Sequence, residues 1–447
     1  MFAATQASPF QSVFLAMFLF FAGLILIPLI RSPNTRTLSL LFSVAFILRI
    51  FVTYITYYYL VAVGGDGFAF TDDRVYDAAG SQIAAALNAG KDGYALHSWQ
   101  QNPGYFYFNG LLYSLLGTDT FSARIVNSFL SSLTVVFVFE IARLLFSVKV
   151  ARVSGFLYAF MPSIVYLSAL QFKDTALIFV MVYTVYLLMS KTKKRITILS
   201  AAAVIVSLIV MWFIRKDYTL PYIGIVIMWL ILRYTGLELF IDRMRKSGLS
   251  VVSAVAILFV GGAVLAGLTN TQAGKVFLDR YDTIAGSNKE LVENASRSGI
   301  GFSRRLRINS AMDIYKLPFA VGFVTILPLP AIGWLTSGEH AGVALYSIAN
   351  LAFIFILPYV VLGFRLIKDV GFGNSVMIKW FPIVVLVAIS IMFMGVLRYK
   401  EQLMPFFLMW AALGICHRKQ HRAFILSSYV VGAMGVLFAV VMAATIR

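Results

Sequence analysis

Three carboxylates stand within six positions of the stretch TDDRVYDAAG (71–80): Asp72, Asp73 and Asp77. Adjacent carboxylates repel, and one held beside a membrane has its pKa raised toward the range where it takes a proton from a hydroxyl. The pair reads as a general base, with Asp72 the first choice and Asp73 the second. The plain alternative is a complement to a helix dipole, worth about a few tenths of a kcal/mol, for which one carboxylate is enough.

Cations suited to a phosphate occur elsewhere. Lys173 stands beside Asp174 in SALQFKDTALIF (168–179), where the plain alternative is an ion pair in a hairpin turn. Arg304, Arg305 and Arg307 cluster with Arg297 in ENASRSGIGFSRRLRINS (293–310), which otherwise reads as a solvated basic face. Arg398 and Lys400 lie in GVLRYKEQLMP (395–405); Arg215 and Lys216 in FIRKDYTL (213–220) are less specific. Arginine forks match phosphate oxygens in a bidentate way. In HSWQQNPGYFYFNG (97–110), His97, Trp99, Asn102 and Tyr105 have the composition of a sugar-stacking wall, and equally of an interfacial aromatic band. Tyr76 is grouped with them as substrate-lining. No histidine has metal-ligand spacing, so no metal site is expected, although a divalent ion on the carboxylates is left open.

Together these residues suit glycosyl transfer from a polyprenyl-phosphate sugar to a hydroxyl. Phosphate leaves readily once cations neutralise its developing charge, and the acceptor hydroxyl needs a base. The expected partners are that donor, a glycan, lipid or protein acceptor, and membrane lipid.

The elements that must hold these residues are membrane helices. Of 447 residues, 60% are hydrophobic and only 13% charged, with mean hydropathy +0.86. That is far more apolar than a soluble domain. The expected fold is all-α and polytopic, with about twelve spans. They lie near 10–30, 38–63, 119–145, 153–170, 175–190, 196–214, 220–234, 249–268, 341–364, 380–397, 403–416 and 423–445. The first lacks a basic leader and a small-residue cleavage site, and is read as retained. The net charge of +18 follows from topology and not from nucleic acid. KTKKR (191–195), RMRK (243–246) and HRKQHR (417–422) all fall on one side and mark it as the inner face. The N-terminus is then outside, as are two long loops, 64–118 and 269–340, within one membrane domain, 1–447. Both loops carry apolar stretches (102–117, 317–334) expected to be interfacial or re-entrant. Thr71 is the expected N-cap of an amphipathic helix over 71–89, with Tyr76, Ala79, Ile83, Ala84 and Leu87 along its apolar stripe. The lone Cys416 excludes an intramolecular disulfide.

In order and spacing, four segments resemble the GT-C membrane glycosyltransferases: TDDRVYDAAGSQIAAALNAG, NPGYFYFNGLLYSLLG, SARIVNSFLSSLTVVFVFEIARLLF and ARVSGFLYAFMPSIVYLSALQFKDTALIF. The nearest pattern is that of protein O-mannosyltransferases and lipid A aminoarabinose transferases. The likeness covers about 65–190, and more weakly LRYKEQLMPFFLMWAALG (397–414). It implies a catalytic carboxylate at Asp72 or Asp73, a second acid at Asp174 with Lys173 beside it, and a polyprenyl-monophosphate donor. It also implies inverting displacement on the extracytoplasmic face, in a bacterial cell membrane. Two departures stand out: an extra span precedes the acidic loop, and no soluble domain follows the last one. Two other classes stay open, an O-antigen-type polymerase or ligase and a lipid-linked sugar transporter or flippase. Single-turnover sugar transfer from a polyprenyl-phosphate sugar in detergent is a reaction that a transporter would not perform.

Overall fold

The computed structural model describes residues 9–93, 103–190, 198–234, 316–326, 334–338, 340–367, 374, 376–392, 398–430 and 432. Every regular element among them is a helix, as expected for a polytopic helical membrane protein. Five described helices are long and apolar enough to cross a bilayer: α1 (Pro9–Leu29), α2 (Thr35–Ala62), α5 (Thr120–Leu145), α8 (Lys173–Ser190) and α12 (Ala341–Leu366). A sixth candidate is the pair α6 (Val148–Phe160) and α7 (Pro162–Ser168), bent by 53°. Shorter helices are α9 (Ile198–Ile214), α10 (Lys216–Tyr234), α13 (Phe381–Met392) and α14 (Met404–Cys416). The span expected over 249–268, and most of the one expected over 423–445, lie outside the described residues.

The chain divides into two compact units. The first comprises 1–223, 327–367 and 401–433. Its centre is α5, which is buried along nearly its whole length and packs against α1, α2, α6 and α8. Its polar residues are satisfied in place: Ser131 Oγ accepts from Arg49 of α2, and the hydroxyls of Ser132 and Thr134 donate to the carbonyls of Ser128 and Leu130 one turn back in α5 itself. The bend between α6 and α7 is set by Pro162, which supplies no N–H to the carbonyl of Tyr158. Arg49 of α2 replaces that donor. Its Nη2 donates to Tyr158 O at 3.2 Å and its Nη1 to Ala159 O at 3.1 Å, while Nε reaches Ser131 Oγ at 3.0 Å. A charge within an apolar span is thereby satisfied by the carbonyls the break leaves open.

Two helices outside the spans form a hairpin, α3 (Thr71–Asn88) and α4 (Gly104–Leu116). They approach closely because Gly80 faces Asn109 and Gly110 faces Ile83; a Cβ on either glycine would fall within 2.8 Å of its neighbour. The expected stripe of α3 is buried at Tyr76, Ala79, Ile83 and Ala84, while Leu87, at its far end, is half-buried. Its start differs from expectation by one residue. Phe70 is the N-cap, extended at φ −144°, and Thr71 is the first helical residue. The ring of Phe70 packs at a tilt against Phe172, with centroids 5.3 Å apart, and this packing outweighs a hydroxyl cap. Gly117, at φ +82°, turns the chain out of α4, and Asp119 then caps α5 by accepting from Phe121 N at 3.1 Å. α12 lies against α14, with Gly363 beside the Trp410 carbonyl.

The second unit comprises 224–326, 368–400 and 434–447. Among its described residues, α11 (Leu317–Ile326) packs on α13, and Lys400 Nζ donates to Thr325 O at 2.9 Å. The apolar stretch expected over 317–334 is thus helical to Ile326, and 327–333 lie outside the described residues.

Candidate active site

The first turn of α3 presents its two aspartates differently. Asp73 is fully buried. Its Oδ2 accepts from Arg124 Nη2 at 3.2 Å and from Ala69 N at 3.3 Å; its Oδ1 accepts from Gln171 N at 2.8 Å. Burial pushes the Asp73 carboxyl above the ordinary carboxylate range, and Arg124 and the two amides oppose that push. Arg124 is also fully buried, near the start of α5, and Nη2 additionally donates to Gly67 O at 3.0 Å. Its plane lies over Tyr57 at 5.4 Å and Phe68 at 5.2 Å, while Nε and Nη1 make no hydrogen bond. Asp72 remains half-buried. It stands one turn before Tyr76 and so shares that face of α3.

One turn beyond Asp73, Asp77 Oδ1 accepts from the Tyr113 hydroxyl of α4 at 2.6 Å. Burial raises the Asp77 carboxyl, with the Tyr113 bond pulling it back. Burial foremost, and the neighbouring Asp77, push the Tyr113 phenol well above its ordinary value, so it acts as a donor.

The connection between α7 and α8 is fastened from three sides. Besides the Gln171 amide on Asp73, Gln171 Nε2 donates to Tyr113 Oη at 3.0 Å. Asn127 Nδ2 of α5 donates to Leu170 O at 2.8 Å and Phe172 O at 3.1 Å, and to Tyr105 Oη at 2.9 Å. This fixed segment delivers Lys173 and Asp174 as the first residues of α8. Lys173 is half-buried with Nζ 5.9 Å from the Tyr76 ring centre. The sequence suggests Lys173 as the cation beside Asp174, but the ion pair of Asp174 is with Arg215 Nη1, at 3.2 Å. Gln402 Nε2 donates to the same Asp174 oxygen at 2.5 Å. The start of a helix aims successive side chains about 100° apart, so Lys173 and Asp174 diverge.

The structure therefore gathers Asp72, Asp73, Tyr76, Tyr105, Lys173 and Asp174 in one unit. Tyr105 is fully buried, packed edge-on to Tyr76 at 4.9 Å, and so supports the site from within. His97, Trp99, Asn102, Arg304, Arg305 and Arg307 lie outside the described residues, and Arg398 belongs to the second unit. Reasoning from sequence passed over Arg124, Asn127, Gln171 and Gln402. The available signal was the pair Arg124 and Asn127, three apart near the start of a span, which places two strong donors on one face. Among the described residues no three His, Cys, Asp or Glu side chains converge as metal ligands.

Residues 100–261 match the family model of the dolichyl-phosphate-mannose-protein mannosyltransferases. The match contains Arg124, Lys173, Asp174 and Arg215, and begins after the acidic pair. It agrees with the resemblance read from the sequence and identifies a GT-C-type glycosyltransferase domain. No curated protein sequence matches the chain.

Proposed function

We propose that this GT-C-type membrane glycosyltransferase moves a sugar from a polyprenyl-monophosphate carrier to a hydroxyl acceptor on the extracytoplasmic face of a bacterial cell membrane. Asp72 is the base. It takes the acceptor proton as the acceptor oxygen attacks the anomeric carbon opposite the phosphate. The anomeric C–O bond breaks, its electron pair leaves with the polyprenyl phosphate, and configuration inverts. Lys173 meets the charge that develops on the phosphate. Arg304, Arg305, Arg307 and Arg398 are further donor-phosphate candidates, and His97, Trp99 and Asn102 candidates to line the sugar. The acceptor is a lipid-linked glycan, a lipid or a protein.

The observation that supports this reading best is the different burial of the acidic pair. Asp73 is fully buried against Arg124 and two backbone amides, which fixes the first turn of α3, whereas Asp72 is half-buried and so the more accessible carboxylate of the two. Asp174, held by Arg215 and Gln402, orients the start of α8 and hence Lys173.

The test is transfer by purified protein from a polyprenyl-phosphate sugar, read by mass spectrometry of the acceptor pool. Asp72→Asn should bind donor and lose turnover by roughly two orders of magnitude or more, the scale for a positioned base. Near-normal turnover in Asp72→Asn would remove Asp72 from the reaction.

A further inference from the structure

The ends of α6 and α14 remote from Asp174 carry a feature that the transfer reaction does not use. Ser163 Oγ donates to Glu401 Oε2 at 3.0 Å, and the adjacent Gln402 reaches Asp174. The two helices pack together, so the Cys416 end of α14 meets the Lys149 end of α6. At 1.5 Å per residue this end is about 21 Å from Gln402, some two thirds of the roughly 30 Å thickness of a hydrocarbon core.

A cleft of about 380 Å³ opens there, lined by Lys149, Val153, Cys416, His417, Arg418 and Lys419. Its floor is apolar and its rim cationic. The stretches 145–153 and 413–422 contain no Asp or Glu. The N-terminus of α6, capped by Ser147, adds the positive end of a helix dipole beside Lys149. A positive loop alone is an ordinary topological signal, but that signal requires neither a concave site nor an apolar floor. We propose that this cleft holds the phosphodiester headgroup of an anionic phospholipid, with the cations on its oxygens and an acyl chain along Val153 and Ile415. The chemistry is that of basic pockets between membrane helices at the headgroup level. It is independent of the transferase reading.

Cys416 lines the cleft and is the only cysteine in the chain, so its alkylation reports occupancy. The full-length protein is reconstituted in phosphatidylcholine vesicles with or without one third phosphatidylglycerol. It is treated with uncharged N-ethylmaleimide and assayed by intact mass. Phosphatidylglycerol should slow modification about fivefold or more, the effect expected of even one engaged cation. In the triple substitution Lys149→Gln, Arg418→Gln, Lys419→Gln the rates in the two bilayers should become equal. Inorganic phosphate added to phosphatidylcholine vesicles should not protect. Equal rates in the two bilayers, or protection that survives the triple substitution, would overturn the site. Equal protection by inorganic phosphate would overturn the lipid assignment in favour of a small-anion site.

Discussion

Replacing Arg124 by Gln should destabilise the protein strongly. Arg124 and Asp73 are both fully buried and 3.2 Å apart. Gln removes the positive charge and leaves the Asp73 carboxylate with two backbone amides in a fully buried site. Breaking a buried pair from one side costs about 3–5 kcal/mol, because the remaining charge is uncompensated. Asp73→Asn in the same chain removes that charge, so the double variant should recover most of the loss. The coupling between the two substitutions should therefore be large, at least about 1–3 kcal/mol. The assay is unfolding of the detergent-solubilised protein in a denaturant titration, run as a double-mutant cycle alongside sugar transfer by the folded fraction. If Arg124→Gln costs under about 1 kcal/mol, the level of an exposed pair, the positioning role of Asp73 is wrong. Strictly additive effects would refute it equally.

Other expectations follow from the same geometry. The folded-state pKa of Asp77 is raised, so its contribution to stability is full at low pH and is lost as pH rises through that value. Asp77→Asn keeps an acceptor for Tyr113 and should gain stability relative to the parent between about pH 4 and 7, read by unfolding at both pH values. Lys173→Gln should weaken binding of the phosphate-bearing donor, measured by titration with a polyprenyl phosphate, while leaving unfolding within about 0.5 kcal/mol because the residue is only half-buried. Gly363→Val should force α12 from α14, since a Cβ at 363 would lie 1.7 Å from Trp410 O. A loss of about 1–3 kcal/mol or more is expected in the same denaturant titration.

Much of the frame was legible because hydropathy reports spans directly: α1, α2, α5, α8 and α12 all fall where apolar runs predict them. The helix of the acidic pair was legible too, from the spacing of Tyr76, Ala79, Ile83 and Ala84. What pattern could not show is which of two neighbouring aspartates turns inward. That depends on Arg124 and Gln171, which are 51 and 98 positions away along the chain. The partner of Asp174 was hidden for the same reason. Adjacent opposite charges invite pairing with each other, yet helix geometry sends Lys173 toward Tyr76 and leaves Asp174 to Arg215 and Gln402. The break at Pro162 was visible as a residue, but the donor that completes it comes from α2.

That last contact has a consequence for how the chain is made. Arg49 precedes Tyr158 by 109 positions. At ordinary synthesis rates the carbonyls that receive the guanidinium emerge roughly 5–20 s after α2 does. An arginine at the centre of an inserting helix costs about 2.5–3.5 kcal/mol, which the apolar remainder of α2 offsets well enough for entry. Its charge nevertheless stays poorly solvated until the bent α6–α7 pair arrives. α2 is therefore an open socket during biogenesis, and closing it ties the second helix of the chain to the bent α6–α7 pair that leads into Lys173 and Asp174. A nascent chain halted near residue 145 holds all the apolar surface α2 needs to insert and none of the acceptors Arg49 needs from α6, which makes that stage the natural point for a membrane chaperone or protease to act.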